Sequence, residues 1–347
     1  MPEGVAGAGI ASLLAGAWRH KPPPAPHFTA TRLDALVAHL RRSGSAALAW
    51  PSLRGSALEG CPAARVAHSE LVYQTLRGAA YEQRIAQLFT LLREASIDAL
   101  LLKGRASAAY YAHSGLRPYG DIDLLVRPED YARARMCLRA AAAGTIDVDL
   151  HDRTLDLPGR SFDDLHRRSR VLTLEGVDVA VLGPEDHLAL VATHFLRHPT
   201  LRPVWLCDVA AALEAIDERF DWTVCAGTDT LHAQWIAVAC ALARALLGAH
   251  SPCLPEALRR PAPPWLVRRT LSEWGVDLTE PLKPFSDVLL LPRQFVHGVR
   301  RRWPLAYDAA SVYGNPPDAF HAPYQCALML TRAVRFCGRY ARARLRA

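Results

Sequence analysis

Two aspartates one residue apart, Asp121 and Asp123, carry the clearest chemical signal in the sequence. The apolar run that they open, residues 122–126, has the length of a buried strand. Because alternate side chains of a strand point to the same side, the two carboxylates start roughly 6–7 Å apart and can converge on one Mg²⁺ or bridge two. Mg²⁺ prefers carboxylates, waters and substrate phosphates as ligands. The spacing predicts metal-assisted chemistry at phosphorus, with two solvated acids at a strand end as the alternative.

A lysine followed by a glycine forms the second candidate element. Lys103 and Gly104 end an apolar run, residues 98–102, and precede an alanine-rich stretch, residues 105–113, which predicts a helix. A glycine at a helix N-terminus lets backbone N–H groups approach phosphate oxygens, and the helix dipole favours negative charge there. We therefore expect Lys103 to contact a phosphate. The alternative is a lysine at a strand end that extends into water.

A third acidic segment follows downstream. Residues 145–151 alternate apolar with polar side chains, as a half-buried strand does, so Asp147, Asp149 and His151 share one face. One of these acids could complete a three-carboxylate site and act as the base for an attacking hydroxyl. His151 could take part in catalysis, but a hydrogen-bonded strand histidine is the simpler interpretation.

Other polar residues have plainer interpretations. Arg117 could hold a phosphate, or it could pair with Asp121 or Asp123 and so orient the strand. His187 and His194 lie seven residues apart on one predicted helix face. No carboxylate stands at metal-ligand spacing from them, so we interpret both as structural or supporting residues.

The predicted secondary structure around these residues is a small mixed unit. Its order is helix 80–95, strand 98–102, helix 105–113, strand 122–126, helix 128–143 ending at Gly144, strand 145–151 and a hairpin over residues 171–182. Helices are also predicted at residues 4–18, 30–42, 204–215, 231–247 and 322–340, with a proline-rich loop at residues 252–264. The pattern predicts an α+β fold with an N-terminal helical region (residues 1–79), a mixed-sheet core (residues 80–185) and a helical domain (residues 186–347).

Composition narrows the partners and the compartment. The 347 residues carry a formal net charge of +7, which suits a phosphate-bearing partner but does not separate a nucleotide from a nucleic acid or an acidic protein. No groove of stacked aromatic and basic residues stands out, so nucleic acid is possible but not favoured. The arginines at 300–302 and 332–346 are interpreted as a solvated face, with an acidic or phosphorylated partner as the alternative.

The eight cysteines and the apolar segments indicate a cytoplasmic protein. No C-x-x-C pair occurs, so neither a zinc site nor a redox dithiol is expected, and free thiols fit a reducing compartment. No run is expected to span a membrane, because the most apolar stretch, residues 235–247, is interrupted by Arg244. Residues 4–18 are small and apolar but lack a basic leader.

Several of these motifs together resemble an uncharacterised bacterial nucleotidyltransferase family related to the polymerase-β type superfamily. They are, in chain order, Leu-Leu-Lys-Gly at 101–104, Arg-Pro-Tyr-Gly-Asp-Ile-Asp-Leu-Leu-Val at 117–126, Asp-Leu-His at 149–151, Pro-Glu-Asp-His-Leu at 184–188, His194, and Trp-Leu-Cys-Asp at 205–208. The resemblance covers roughly residues 80–215 well and the two ends of the chain poorly.

The resemblance implies a polymerase-β type fold with Mg²⁺ or Mn²⁺ held by Asp121, Asp123 and Asp149. It also implies that the loop at Gly104 lies on the triphosphate of a nucleoside triphosphate (NTP). One departure concerns that loop, where the broader superfamily has Gly-Ser. Here the sequence is Lys103-Gly104-Arg105, and the nearest serine is Ser107. The predicted nucleotide-binding set is therefore Lys103, Gly104, Arg105, Ser107 and Arg117, in which cations replace the missing hydroxyl.

The expected activity is transfer of a nucleoside monophosphate (NMP) from an NTP to a hydroxyl, phosphate or amine of a small-molecule or peptide acceptor. Asp149 would assist deprotonation of the acceptor. Three alternatives stay open: a related phosphoryl or sugar-phosphate transfer, a nucleotide-binding module without catalysis, and a toxin-like enzyme acting on tRNA.

Overall fold

A five-stranded mixed sheet lies in the middle of the chain. The computed structural model describes residues 3–24, 27–140, 147–154, 156–198, 202–276, 299 and 302–344. The strands are β1 (Ala99–Leu101), β2 (Asp121–Val126), β3 (Asp147–His151), β4 (Arg170–Leu174) and β5 (Val177–Val181), in the spatial order β3-β2-β1-β5-β4. Pairs β2–β3 and β1–β5 are parallel, and pairs β1–β2 and β4–β5 are antiparallel. The predicted α+β class is confirmed, and so are the three strands and the hairpin.

Helices surround the sheet and make up most of the rest of the described chain. They are α1 (Glu3–Leu14), α2 (Ala30–Arg42), α3 (Trp50–Leu53), α4 (Pro62–Glu94), α5 (Arg105–Ala108), α6 (Tyr131–Ala140), α7 (Phe162–Arg167), α8 (Pro184–Arg197), α9 (Pro203–Glu214), α10 (Trp222–Ala226), α11 (Thr230–Leu247), α12 (Pro264–Trp274), α13 (Ala306–Tyr313) and α14 (Ala322–Arg344). Their starts follow local chemistry: Thr29 and Asp229 cap α2 and α11 with side-chain oxygens, and prolines open α4, α8 and α9.

The sheet buries apolar side chains on both faces. On one face, Leu101 and Leu124 pack against α6 and the second half of α4. On the other, Leu100 and Leu125 belong to a larger core that also contains the N-terminal helices and helices α8, α9 and α11. Helix α4 contributes to both cores and runs through position 79, where the sequence predicts the end of the N-terminal region. The three-part division of the chain stays a prediction.

The alanine-rich stretch at residues 105–113 is helical only over its first turn, so the predicted helix is wrong in length. After Arg105–Ala108 the chain turns. Tyr111 then donates its hydroxyl hydrogen to Asp208, and the backbone N–H of Ala112 donates to the carbonyl of Trp18. These long-range bonds override the helix propensity of alanine. The predicted helix 128–143 begins as a 3₁₀ turn and continues as α6, while residues 141–146 lie outside the described residues.

Helix α11 differs from the expectation that no run could span a membrane. By length and composition alone, Thr230–Leu247 is long and apolar enough to do so, and half of it is buried inside the protein. Trp235, Cys240 and Leu242 pack in the larger core, as in the central helix of a folded domain. One such helix is weak evidence for a membrane span.

Candidate active site

Neighbouring parallel strands present acidic side chains on one face of the sheet. In the register of β2 and β3, Asp123 lies opposite Asp149, and Leu125 lies opposite His151. Residues of one strand that are two apart share a face, so Asp123 points to the same side as Leu125. Leu125 packs in the core shared with α8 and α9. The acids therefore face the C-terminal helices, as the period-two pattern of both segments predicts.

Asp123, Asp149 and His151 converge into a compact cluster, here called the carboxylate–histidine group. One potential ligand atom from each lies within 4.8 Å of the other two. His151 Nε2 is 3.3 Å from Asp123 Oδ1, and the ammonium nitrogen of Lys103 is 3.2 Å from the same oxygen. Burial raises the pKa of Asp123. The hydrogen bond with His151 and the charge of Lys103 lower it by a larger amount, so the net pKa is below its ordinary value. Asp123 is therefore an ionised carboxylate at neutral pH.

Asp121 lies two residues before Asp123 on β2, outside this group. It stands opposite Asp147 at the exposed beginning of β2 and lines the same cavity as the group. The predicted pair of ligands is thus split in this structure: Asp123 is 5% exposed and clustered with Asp149 and His151, whereas Asp121 is exposed beside them.

The group fits a small divalent cation. Mg²⁺ binds oxygen at about 2.1 Å, so two ligands on opposite sides of one ion are about 4.2 Å apart. Ligand atoms within 4.8 Å of one another reach that spacing by small side-chain rotations. Two carboxylates suit Mg²⁺ or Mn²⁺, and the imidazole of His151 adds a donor that favours Mn²⁺ over Mg²⁺.

Lys103 and Gly104 lie beside this group because β1 pairs with β2. The N–H of Leu102 donates to the carbonyl of Asp123 across 3.1 Å, which places Lys103 next to that aspartate. Gly104 has φ +62° and ψ −111°, a conformation that residues with a Cβ rarely adopt. Helix α5 after it is a single turn, so its dipole is small.

The other predicted phosphate contacts lie elsewhere. Arg105 pairs with Glu82, and Ser107 is buried with its hydroxyl unpartnered in the part of the chain that the structure describes. Neither residue is among the described residues that line the cavity. Their contribution to phosphate binding stays a prediction. For either residue to reach a phosphate, the one-turn helix α5 would have to rearrange.

Arg117 forms a buried ion pair with Asp208 of α9, and not with Asp121 or Asp123. Its Nε and Nη2 atoms lie 3.1 and 2.7 Å from the two carboxylate oxygens, and the hydroxyl of Tyr111 donates to the same carboxylate at 2.8 Å. Burial lowers the pKa of Arg117, but Asp208 raises it to a net value above the usual one, so the arginine stays charged. This pair ties the loop before β2 to the C-terminal helices.

A second contact holds the same loop from the other side. The Tyr81 hydroxyl donates to the carbonyl of Gly120 at 2.8 Å and accepts from Arg77 at 2.9 Å. Tyr119 packs edge-on against Tyr81. Helix α4 therefore fixes the peptide directly before Asp121.

The site opens into a cavity of about 1120 Å³ between the sheet, the N-terminal helices and helices α8 and α9. This volume can hold an NTP together with a second small substrate. Its wall from α2 and α4 is basic and includes Arg41 and Arg77. Its wall from the loop after β3 and from α8 and α9 carries Asp156, His194 and Trp205.

The sequence analysis names His194 and Trp205, but it misses Asp156 and the contact of Asp156 with His194. Asp156 lies 3.3 Å from His194, although 38 residues separate them. His187, on the same helix, is buried and stacked on Tyr110, in keeping with the structural role that the sequence suggested. The acid at position 156 of an otherwise irregular segment was the available signal, but its spacing matches no motif.

One comparison with known proteins gives a result. A family model described as "Uncharacterised nucleotidyltransferase" matches residues 29–248, which is more than half of the chain. The matched span contains the whole sheet and every residue of the cavity walls described above. It begins about seventy residues before the first of the motifs that carry the resemblance, Leu-Leu-Lys-Gly at 101–104. Comparisons with curated proteins and with solved structures return no match.

Proposed function

The chain belongs to this family of uncharacterised nucleotidyltransferases, and from that premise we propose that it transfers an NMP group from an NTP to an acceptor with a divalent cation. The observation that carries the proposal is the carboxylate–histidine group beside Lys103 and Gly104 in a cavity large enough for two substrates. We also place the sheet in the polymerase-β type superfamily and the protein in the cytoplasm, as the sequence predicts.

In this proposal Asp123 and Asp149 hold Mg²⁺ or Mn²⁺, with Asp121 at the rim of the site and His151 as a further donor. When bound, the cation neutralises charge on the phosphates and on the leaving pyrophosphate. The ion pair between Lys103 and Asp123 keeps the buried carboxylate ionised before substrate enters. With the carboxylate of Asp123 engaged as a metal ligand, the ammonium of Lys103 would be available to contact a phosphate oxygen.

Gly104 contributes a backbone conformation rather than charge. A Cβ at this position would lie 3.5 Å from Tyr119 and from the carbonyl of Asp121, which are ordinary contact distances. The positive φ of +62°, and not a lack of space, is therefore what calls for glycine here, beside the proposed metal ligands.

The basic wall of the cavity supports a triphosphate as the substrate. Arg41 and Arg77 lie on helices α2 and α4, at the edge of the cavity that also contains Asp121. Arginines and the cation together can balance the four negative charges of an NTP. The acceptor is proposed to be a small molecule or a peptide, as the sequence analysis expects.

The test is a product analysis with the full-length protein. Each of the four common NTPs is incubated with Mg²⁺ or Mn²⁺ and with candidate acceptors, and pyrophosphate and phosphate release are measured separately. We expect pyrophosphate and an NMP-modified product, and we expect Asp123→Asn and Asp149→Asn to lower the rate at least about a hundredfold. The matched control is Asp163→Asn, which removes an exposed acid that pairs with Arg127 outside the cavity.

The alternatives give different products. Release of phosphate with formation of a nucleoside diphosphate would identify phosphoryl transfer. Metal-dependent NTP binding without turnover for any acceptor would identify a non-catalytic module. Labelled RNA, with binding that weakens steeply as salt rises, would identify a tRNA-directed enzyme.

A further inference from the structure

A carboxylate, an imidazole and a guanidinium meet on the cavity wall that α8 and α9 form. Asp156 Oδ2 lies 3.3 Å from His194 Nδ1, and Asp156 Oδ1 lies 3.4 Å from Arg197 Nε. The side chains of Asp156 and His194 are only 13% and 14% exposed, so water competes weakly for this contact. Asp156 belongs to the loop after β3, whereas His194 and Arg197 lie in the last turn of α8.

The contact decides which ring nitrogen of His194 can take a proton. Burial raises the pKa of Asp156. The hydrogen bond and charge of His194, with smaller effects from Lys103 and Arg197, lower it by a larger amount, so the net pKa is below its ordinary value. The carboxylate is therefore ionised and can only accept a hydrogen bond. In a neutral His194 ring, this hydrogen bond places the proton on Nδ1 and leaves the lone pair on Nε2. A base oriented by a third group is the arrangement that nucleophile-activating sites use.

Other described ionisable groups surround the pair of His194 and Asp156. His198 lies 4.3 Å from His194 ring to ring, and burial lowers its pKa to about 4, so it is neutral at pH 7. His232 of α11 and Tyr307 of α13 interact electrostatically with Asp156. Trp205 packs edge-on against His194 at 5.2 Å. Lys103 and Asp123 line the same cavity as Asp156 and His194, so the carboxylate–histidine group and this wall face one space. Arg197 is held by Asp156.

We propose that His194 is the general base that removes the proton of an acceptor hydroxyl, with Asp156 as its positioning residue; this rests on the proposed nucleotidyl transfer. Nε2 takes the proton as the hydroxyl oxygen forms a bond to the α-phosphorus. The bond from that phosphorus to the oxygen shared with the β-phosphate breaks, and pyrophosphate leaves with the electron pair. His194 then passes its proton to water. The base is thus His194, in place of the Asp149 that the sequence suggested.

A base at this position selects a class of acceptor. Phosphates and carboxylates are already ionised at pH 7 and attack without a base. A hydroxyl, or an amine that is protonated at pH 7, must lose a proton to attack. The base therefore argues against a phosphate or carboxylate acceptor, and a hydroxyl of an alcohol, a sugar or a peptide is the acceptor that we test.

The experiment compares His194→Gln and Asp156→Asn with wild type, all as full-length protein. Pyrophosphate release from Mn²⁺·ATP, or from the NTP that is turned over fastest, is followed from pH 5 to 9 with glycerol or water as the hydroxyl probe. We expect His194→Gln to lower kcat by about 10²–10⁴-fold with little change in KM for the NTP, and to give a pH profile that differs from that of wild type. Asp156→Asn should give a smaller loss, of about tenfold or more.

Two controls separate catalysis from structure. His166→Gln removes a half-buried histidine on α7, outside the cavity, and should leave the rate unchanged. His194→Ala should regain rate when imidazole is added, which a purely structural histidine would not show. If wild type releases pyrophosphate and His194→Gln does so at the same rate and with the same pH profile, the inference fails and the proposed function stands. If wild type releases none with any NTP and acceptor, both fail.

Discussion

The buried ion pair between Arg117 and Asp208 leads to a quantitative prediction. Replacing Asp208 with asparagine should lower the free energy of unfolding by about 3–5 kcal/mol, because the arginine stays charged and buried without its counter-charge. The side chains of Arg117 and Asp208 are 8% and 3% exposed, so water cannot replace the lost carboxylate. An exposed ion pair would contribute less than about 1 kcal/mol.

Three hydrogen bonds set this magnitude. The carboxylate of Asp208 accepts from Nε and Nη2 of Arg117 and from the hydroxyl of Tyr111. A carboxamide keeps one acceptor oxygen and turns the other position into a donor that faces the guanidinium. At least one strong bond is therefore lost, together with the attraction between the charges.

The assay is urea unfolding followed by tryptophan fluorescence and circular dichroism. Asp163→Asn is the matched control, because it removes the same group from a pair with Arg127 in which the acid is 67% exposed. Its loss should stay below about 1 kcal/mol. The double variant Arg117→Met, Asp208→Leu should recover most of the stability, because it removes both charges and fills the space with apolar atoms.

The outcome also decides the role of Arg117. A loss below about 1 kcal/mol for Asp208→Asn would refute the reasoning, since the pair would then behave as if it were exposed. If Arg117→Met weakens NTP binding more than it lowers stability, the arginine acts mainly as a phosphate ligand. We expect the reverse.

Three further predictions concern the cavity and its surroundings. Gly104→Ala should destabilise the protein by about 1–3 kcal/mol, measured by thermal unfolding, because φ is +62° there and a residue with a Cβ adopts that conformation only with strain. The strained loop should also weaken NTP binding, measured by titration. Lys103→Met should tighten binding of Mn²⁺ alone several-fold yet weaken binding of Mn²⁺·NTP, because the ammonium competes with the cation for Asp123 but assists the phosphates. Equal changes in both titrations would contradict that division of roles. Burial lowers the pKa of His187 from 6.5 to about 3. Between these two pH values, the histidine is protonated in the unfolded chain and neutral in the folded protein. Stability should therefore fall as pH drops through this window, by up to about 1.4 kcal/mol per pH unit, and His187→Phe should lose this contribution in urea titrations at several pH values.

The strands that carry the acids could be predicted from the sequence because their signals are local. Asp121, Asp123 and Asp149 lie on strands whose period of two decides which way each side chain points. The apolar runs around them are short and bounded by glycine or charge, which separates strands from helices. The sequence analysis did not predict the parallel pairing of β2 with β3, which sets Asp123 opposite Asp149.

The remaining contacts depend on residues far apart in the chain. Arg117 and Asp208 are 91 positions apart, and nothing in the spacing around either residue marks the other as its partner. Asp156 lies in an irregular loop, so no periodicity indicates its direction. The helix predicted over residues 105–113 failed for the same reason, because bonds from Tyr111 and Ala112 to distant segments outweigh local propensity.

Helix α4 has a consequence for how the protein unfolds. Its first turns, with Ala63 and Ala67, are buried in the larger core, and its later turns, with Ile85 and Leu88, are buried in the smaller one. A 33-residue helix stripped of either support would lose much of the packing that keeps it helical. Unfolding of one core therefore destabilises α4 and, through it, the other core. Fluorescence and circular dichroism should report a single cooperative transition with one shared midpoint.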